Sequence, residues 1–323
     1  MLRFSFAVFV LALLLTACGS VKSEKNLLVM DTVVSLKAEG EGAKEAVRES
    51  AEWLVDFDKR VGMTEESEIQ KLSDNNEEKY QEVSEDVYEV LRLGKEYTAF
   101  TKQAFNVTAG SLTTLWDKAR EIEEPPNVEA VEKAKSSVNI ENLSIKVEGK
   151  NLYKVSVKNS ASLTVGAIAK GYAADKVKGI YEKNKATGLI NLGTSTMIAI
   201  GDKTYNIGIK NPRKEGELLG VVKLKNAALS TSGDYERYFI KNGVRYHHII
   251  DPKTGYSANN GIASATVIVP LSHENAGAVS DALSTALIVL GESGVSLLSE
   301  DMRALLVKTD GTLTKINDFE IKE

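Results

Sequence analysis

The chain has 323 residues, of which 43% are hydrophobic, and its 40 basic and 45 acidic side chains give a formal net charge of -5 at pH 7. Charges of both signs are mixed along the chain and no basic block stands out, which argues against a nucleic-acid-binding protein. The five prolines and the scattered glycines mark turns and no long linker. We therefore predict one compact domain after the N-terminal segment.

The N-terminus has the pattern of an export signal. Arg3 precedes an unbroken apolar run over residues 4–15, which is too short to span a bilayer, and small residues then lead to Cys18. This arrangement resembles the bacterial lipobox, in which the cysteine carries a lipid; the alternative is an ordinary secretory signal with a chance cysteine. Cys18 is the only cysteine, so it has no disulfide partner. We predict a signal peptide over 1–17, a lipid anchor at Cys18 on the extracytoplasmic face of the cell membrane, a tether over 18–26 and a folded domain over 27–323.

Strand and helix patterns follow in the first half of the folded part. Residues 27–38 alternate between two faces and are rich in β-branched side chains, which predicts a strand. Helical spacing of apolar residues predicts a helix over 43–61, and Ser84 has the position of an N-cap before a helix over 87–100. Further predictions are a helix that begins near Ser111 and contains Trp116, and a hairpin of strands 144–148 and 152–157.

The second half of the chain is richer in strands. Helices are predicted over 169–182 and 273–290. The predicted strands are 189–191, 196–200, 205–209, 221–225 and 263–269, with hairpins at 235–240 and 244–250 around an Asn-Gly turn and at 303–308 and 312–316 around an Asp-Gly turn. Helices first and clustered hairpins later predict an α+β fold, a single compact domain with a largely antiparallel mixed sheet and packed helices.

Residues 164–172 join a strand-like stretch to a helix. Gly166 and Gly171 permit a close approach of the backbone, and the free amides of a starting helix attract phosphate, to which Lys170 adds a positive charge. The spacing is neither that of a Walker loop nor that of a Rossmann fingerprint. A purely structural turn is the alternative, and the segment by itself does not decide between the two.

Asp281 and Thr285 lie four residues apart in the predicted helix 273–290. Their carboxylate and hydroxyl groups therefore project from the same helix face, one turn apart. Oxygen ligands of this kind suit a hard cation such as Mg²⁺. The alternative is an aspartate favoured by the helix dipole beside a threonine packed by chance.

The stretch 230–255 is dense in polar and aromatic side chains. His247 and His248 are successive residues of a predicted strand and would point to opposite faces, which argues against a two-histidine metal centre. Asp251 precedes a proline turn. No Gly-x-Ser-x-Gly elbow is present to support a serine hydrolase.

Several short motifs occur in a fixed order along the chain, and together they closely resemble one family. The motifs are Met30-Asp-Thr32, Ser67-Glu-Ile69, Phe105-Asn-Val-Thr-Ala-Gly-Ser-Leu112 with Trp116, Gly166-Ala-Ile-Ala-Lys-Gly-Tyr172, Ile190-Asn-Leu-Gly193, Thr231-Ser-Gly-Asp-Tyr-Glu-Arg-Tyr238, His248-Ile-Ile-Asp-Pro-Lys-Thr-Gly255 and Asp281-Ala-Leu-Ser-Thr285. They resemble those of the ApbE family, the FAD:protein FMN transferases. The resemblance spans about residues 27–290.

The resemblance implies a site for Mg²⁺ and FAD. Members of the family hold Mg²⁺ through a backbone carbonyl that corresponds to Ala167 and through side chains that correspond to Asp281 and Thr285, with Ser284 as a further hydroxyl. The residues that correspond to FAD contacts are Met30, Ala104, Phe105, Asn106, Thr164, Lys170 and His248. Met63 stands where many relatives place a tyrosine near the flavin, and we expect the flavin ring to be buried against Met30 and Met63 because methionine adapts to flat rings.

The chain departs from the family pattern at a few of these positions. Asp31 replaces a glycine, Asn106 replaces an aspartate, and Thr194 and Ser195 replace a Gly-Asp or Gly-Asn pair. Asparagine and threonine keep hydrogen bonding but lose charge. We therefore expect altered FAD affinity with the chemistry retained.

The implied reaction is Mg²⁺-dependent transfer of FMN from FAD to a threonine or serine hydroxyl of extracytoplasmic acceptor proteins, with AMP as the leaving group. Lys170 would add positive charge at the pyrophosphate, and His248 or Asp251 would accept the hydroxyl proton. The alternatives are an FAD pyrophosphatase, a flavin-binding lipoprotein without turnover and a solute-binding lipoprotein. Asp281, Thr285 and Lys170 favour catalysis, because a storage protein needs no metal at the pyrophosphate.

Overall fold

The computed structural model describes residues 21–75 and 78–322 of the chain. The predicted signal peptide and Cys18 lie outside these residues. The α-helices within them are α1 Ala43–Val61, α2 Glu68–Ser73, α3 Glu85–Phe100, α4 Gly110–Glu121, α5 Val128–Lys135, α6 Ala169–Lys183 and α7 Ala276–Leu290, with short 3-10 helices at Ile140–Asn142 and Gly291–Leu297. The strands are β1 Lys22–Val29, β2 Thr32–Gly40, β3 Gln81–Val83, β4 Leu143–Glu148, β5 Leu152–Val157, β6 Ala186–Leu192, β7 Thr196–Ile200, β8 Tyr205–Lys210, β9 Leu218–Leu224, β10 Ala227–Gly233, β11 Tyr238–Lys241, β12 Val244–His247, β13 Ile262–Pro270, β14 Arg303–Lys308 and β15 Leu313–Ile316.

An eight-stranded sheet forms the centre of the fold. Its strand order is β1-β2-β6-β7-β10-β13-β14-β15, and every pair of neighbours is antiparallel. Three small antiparallel sheets, β3-β5-β4, β8-β9 and β11-β12, surround it. The predicted α+β fold with a largely antiparallel sheet and packed helices is confirmed.

The two faces of the large sheet bury different partners. Inward side chains such as Leu36, Ile198 and Val267 form one core together with helices α1, α6 and α7. The opposite face packs on the hairpin β8-β9 through a second core that includes Leu229 and Phe319. This alternation along each strand follows from the two-residue period of a β-strand. Helices α6 and α7 therefore lie side by side on one face of the sheet, where they form the site described below.

Most predicted elements are confirmed, some with shifted ends. Helix α1 has the predicted bounds, and the Ser84 hydroxyl accepts a hydrogen bond from the Val87 amide as an N-cap. Of the predicted hairpin strands 235–240 and 244–250, only Tyr238–Lys241 and Val244–His247 pair.

The prediction of one strand over 27–38 is wrong, because the chain turns back within it. Met30 and Asp31 both have φ of 54°, so they form a tight turn between β1 and β2. Two successive residues with positive φ fit the type I′ hairpin turn, which favours glycine or asparagine. Asp31 is tolerated in such a turn, but Met30 is not a typical turn residue and no glycine is present, so the turn signal in the sequence is weak.

The N-terminal boundary of the folded domain also differs from the prediction. Residues predicted as the end of the tether, Lys22 to Asn26, lie in β1 and pair with β2. Their side chains are mostly exposed because β1 is an edge strand, and a polar pattern of this kind is also typical of a tether.

Strand β10 was not predicted as a strand, although it lies in the middle of the sheet. Its small side chains let α7 approach closely: the Ser230 and Ser280 hydroxyls lie 2.8 Å apart, as do those of Ser232 and Ser284. Thr231 is the single β-branched residue of β10, which is otherwise rich in alanine, serine and glycine, so the propensity on which the prediction depended is weak there. Elements α2, α5 and β3 were also missed.

The last long helix is apolar on nearly all sides. Within the described residues, the stretch Ala276–Leu297 is long and apolar enough to cross a membrane, with a mean hydropathy of 1.3 in its most apolar window. Of that window, 67% is buried inside the protein. The sheet and the neighbouring helices thus account for its composition as a core helix.

Candidate active site at the crossing of two helices

Helices α6 and α7 touch through their backbones at two glycines. A Cβ atom at Gly171 would lie 2.3 Å from the Gly277 carbonyl oxygen, and a Cβ atom at Gly277 would lie 2.4 Å from the Gly171 carbonyl oxygen. No other residue type fits at either position without movement of a helix. The close approach brings the start of α6, with Lys170, against the first half of α7.

Asp281 lies at this crossing and is almost completely buried. Its side chain is 4% exposed, and its Oδ2 accepts a hydrogen bond of 2.9 Å from the Gly171 amide. Burial raises the pKa of Asp281, while the Lys170 charge, the Gly171 amide and the Thr196 hydroxyl partly lower it. Asp281 is the sixth residue of α7, beyond the first turn in which a helix dipole acts strongly. The helix dipole therefore contributes little to the preference for an aspartate at position 281.

Three hydroxyl groups lie beside Asp281. The Ser232 hydroxyl lies 2.8 Å from that of Ser284 and 3.1 Å from that of Thr285. Ser284 is fully buried and donates to the Asp281 carbonyl oxygen, whereas Thr285 is only partly buried. Ser232 was not predicted as a site residue, although the Thr-Ser-Gly motif at 231–233 pointed to this stretch.

The turn before α6 leads directly to the cationic side chain of Lys170. Thr164 donates its amide to the Val107 carbonyl oxygen at 2.8 Å, and α6 begins at Ala169 without a side-chain cap. Gly166 is exposed and Ala167 is partly buried. Among the described residues, the Lys170 ammonium makes no hydrogen bond or ion pair, but it lies close enough to Asp281 to lower the pKa of that carboxyl. An ammonium in this position at the start of a helix can receive a phosphate.

The segment predicted to contact FAD lies directly beside this turn. Ala104, Phe105 and Asn106 are all buried. Asn106 Oδ1 accepts hydrogen bonds from the Thr108 amide at 2.9 Å and from the Thr108 hydroxyl at 2.7 Å, so it holds its own loop. The Thr164 amide reaches the next residue, Val107, which joins the two predicted FAD segments in space.

The two predicted bases, His248 and Asp251, have different surroundings. Its Nδ1 is buried without a hydrogen-bond partner among the described residues. Burial lowers the pKa of His248 to about 3, so the ring is neutral at neutral pH. Asp251 Oδ1 instead accepts from the Lys253 amide at 2.9 Å, and the Trp116 indole anchors the same turn by donating to the Gly255 carbonyl oxygen at 2.8 Å. Neither His248 nor Asp251 has a described hydrogen bond to the helix crossing.

The two methionines predicted to contact the flavin lie on different elements. Met30 is in the β1-β2 turn and packs partly against the main core, while Met63 follows α1 and is 63% exposed. The β1-β2 turn lies against the β6-β7 turn, because a Cβ atom at Gly193 would lie 2.2 Å from the Thr32 hydroxyl. Joint packing of both methionines against a flavin stays a prediction.

A surface depression of about 260 Å³ lies away from these residues. It is bordered by the start of β1 and includes Lys22, Glu39 and Lys203. Both lysines form ion pairs with Glu39. The depression therefore offers no unpaired charge of its own and shares no residue with the predicted site.

Comparisons with known proteins converge on one family. The sequence profile of the ApbE family matches residues 30–306. An FAD:protein FMN transferase of Haemophilus influenzae is 30% identical over 263 residues, which cover 77% of this chain and 75% of that protein. One from Klebsiella pneumoniae is 30% identical over 230 residues, with 70% of each chain covered.

Solved structures agree with these relatives. The crystal structure of the ApbE protein from Thermotoga maritima has a TM-score of 0.80 and 30% sequence identity, and covers 92% of this chain and 97% of that chain. The apo form of the flavinyl transferase ApbE from Pseudomonas stutzeri has a TM-score of 0.78 and 25% identity, with 92% and 95% covered.

Proposed function

Because the chain belongs to the ApbE family, we propose that it is a transferase that moves FMN from FAD to a threonine or serine hydroxyl of acceptor proteins and releases AMP. The observation that carries this proposal is the helix crossing, where the buried Asp281 carboxylate lies near the Lys170 ammonium, which has no partner among residues 21–75 and 78–322. A carboxylate for a metal and a free cation for phosphate are what pyrophosphate cleavage requires.

The residues at the crossing fit Mg²⁺. The donors are the Asp281 carboxylate, the Thr285 hydroxyl and the Ala167 carbonyl, all of them oxygen ligands. The raised pKa of Asp281 supports the assignment, since it indicates a buried charge that its protein neighbours only partly compensate. Ser284 is the weaker candidate because its hydroxyl is fully buried and donates to its own helix. When bound, Mg²⁺ would neutralise charge on the pyrophosphate.

In the proposed reaction, the acceptor hydroxyl oxygen forms a bond to the FMN-side phosphorus of FAD. The bond from that phosphorus to the bridging oxygen breaks, and AMP leaves with the oxygen. Lys170 holds the pyrophosphate and stabilises its growing negative charge. The hydroxyl proton passes to a base, which is either the neutral His248 ring or the Asp251 carboxylate, of which Oδ1 accepts an amide of its own turn.

The reaction is tested with purified protein, FAD, Mg²⁺ and a candidate acceptor protein. We expect AMP to form in step with acceptor-bound flavin, measured by chromatography and by in-gel fluorescence. AMP with free FMN and an unlabelled acceptor would instead identify an FAD pyrophosphatase. Bound FAD without AMP would identify a flavin-binding protein and contradict the proposal.

We further propose that Cys18 carries a lipid that holds the domain on the extracytoplasmic face of the cell membrane. Strand β1 begins at Lys22, and the four steps of chain from Cys18 span at most about 14 Å. The anchor would therefore keep the edge of the large sheet close to the bilayer, where it can reach membrane-associated acceptors.

Cys18→Ala should release the protein from the membrane and leave FMN transfer intact. The substituted position precedes β1 and is far in sequence from the helix crossing, so only the attachment of a lipid is lost. Fractionation of cells followed by the flavin-transfer assay measures both effects. Retention of the variant in membranes after a salt wash would contradict the lipid anchor.

A further inference from the structure

Helices α6 and α7 carry the same short pattern and exchange hydrogen bonds through it. Gly171 and Asp175 on α6 are spaced like Gly277 and Asp281 on α7. The Gly171 amide donates to Asp281 at 2.9 Å. In return, the Gly277 amide donates to Asp175 Oδ1 and the Ala278 amide donates to Asp175 Oδ2, each at 2.9 Å. Each of the two helices thus donates backbone amides to a carboxylate of the other helix.

Asp175 replaces the cap that α7 lacks in its own sequence. The residue before the helix, Asn275, has a left-handed φ of 55° and its side chain makes no cap hydrogen bond. The first amides of a helix need acceptors, and here a carboxylate from the neighbouring helix supplies them. Asp175 therefore fixes where α7 begins relative to α6.

The hydrogen bonds of Asp175 to α7 require a carboxylate to be buried near Asp281, which is electrostatically unfavourable. Burial, with a smaller contribution from the nearby Asp281 charge, raises the pKa of Asp175 to about 6, although the Ala278 and Gly277 amides act to lower it. A side-chain cap from residue 275 would satisfy the same amides without placing a second carboxylate near Asp281. What Asp175 adds is a direct link between the helix that carries Lys170 and the helix that carries Asp281.

We propose that Asp175 is a positioning residue that sets Asp281 and Thr285 on α7 against Lys170 on α6, so that the crossing binds Mg²⁺ together with FAD. The proposal rests on the proposed function of the crossing. Asp175 acts through the first turn of α7 and contacts no reacting group.

The test compares Asp175→Asn and Asp175→Ala with Asp86→Asn. Asp86 is a matched control because its buried carboxylate also binds α6, through the Tyr172 hydroxyl at 3.0 Å and the Lys176 ammonium at 3.3 Å. Its other partners, Trp53 and Arg60, lie on α1, so no described hydrogen bond or ion pair joins it to α7.

Mg²⁺ is titrated into each protein in the presence of FAD, and binding is followed by the rise in melting temperature. We expect the Mg²⁺ midpoint of Asp175→Asn to rise about tenfold or more, as for other residues that support a metal ligand. Asn keeps one acceptor and loses the other, so Asp175→Ala should show the larger shift. Saturating Mg²⁺ should restore most turnover of Asp175→Asn, because the ligand atoms remain.

Amide hydrogen exchange supplies a second readout. The first turn of α7 should exchange faster in both Asp175 variants and at the wild-type rate in Asp86→Asn, which should only lower the melting temperature. Equal Mg²⁺ midpoints in Asp175→Asn and Asp86→Asn would overturn the positioning role. A wild-type protein that neither responds to Mg²⁺ nor cleaves FAD would contradict the proposed function instead.

Discussion

Asp281→Ala should abolish Mg²⁺-dependent FMN transfer and leave the fold in place. The substitution removes the carboxylate at the helix crossing, and with it the charge that would hold the cation. The Gly171 amide loses its acceptor, which costs about 1–3 kcal/mol. Removal of a buried carboxylate whose pKa is raised offsets part of that cost. Circular dichroism should therefore show a folded protein, while AMP release and acceptor flavinylation across a Mg²⁺ titration should fall to background.

Two further variants separate charge from hydrogen bonding. Asp281→Asn can still accept from the Gly171 amide but carries no charge, so it should be as inactive as the alanine variant. Thr285→Val removes a neutral oxygen that water can replace, and a loss of up to about tenfold is expected, since one neutral hydrogen bond contributes about 1 kcal/mol. Near-normal transfer by folded Asp281→Ala at low Mg²⁺ is the result that would remove Asp281 from the metal site.

The elements predicted correctly were those whose signals are local. Helix α1 has a long apolar stripe, and the Ser84 cap lies immediately before α3. The β1-β2 turn begins with Met30, an untypical turn residue, and β10 is rich in small side chains that suit contact with α7. Such features depend on packing between distant segments, which local propensity does not report.

The candidate site likewise combines residues that local sequence patterns indicate with residues that only the tertiary fold brings together. Asp281 and Thr285 lie one turn apart on α7, as the predicted helix places them, and the resemblance to a family drew attention to Lys170. The contacts made by Ser232 and Asp175 were not predictable in this way, because each group meets α7 only through the tertiary fold. His248 and Asp251 are equally plausible bases by residue type, and they differ only in burial and in hydrogen bonds within a turn.

Gly171→Ala should destabilise the protein and eliminate FMN transfer together. The new Cβ atom would lie 2.3 Å from the Gly277 carbonyl oxygen, and because the obstacle is backbone, α6 and α7 must move apart. Overpacking of this kind costs about 3 kcal/mol or more. The movement also lengthens the hydrogen bond from the Gly171 amide to Asp281 and separates that carboxylate from Lys170. Denaturant unfolding and Mg²⁺-dependent AMP release measure the two effects.

Gly179→Ala is the matched control on the same helix. A Cβ atom at Gly179 would meet nothing within 4 Å, so the substitution changes only helix propensity and should stabilise the protein by about 0.5–1 kcal/mol with transfer unchanged. Comparison of Gly171→Ala with Gly179→Ala therefore separates the effect of disrupting the helix crossing from the general effect of an alanine in α6. If Gly171→Ala matched Gly179→Ala in both stability and transfer, close contact between α6 and α7 would not be required to assemble the site. If Gly171→Ala lost stability but kept normal transfer at a temperature where it is folded, the crossing would serve packing alone, and Asp281 would have to act without the Gly171 amide.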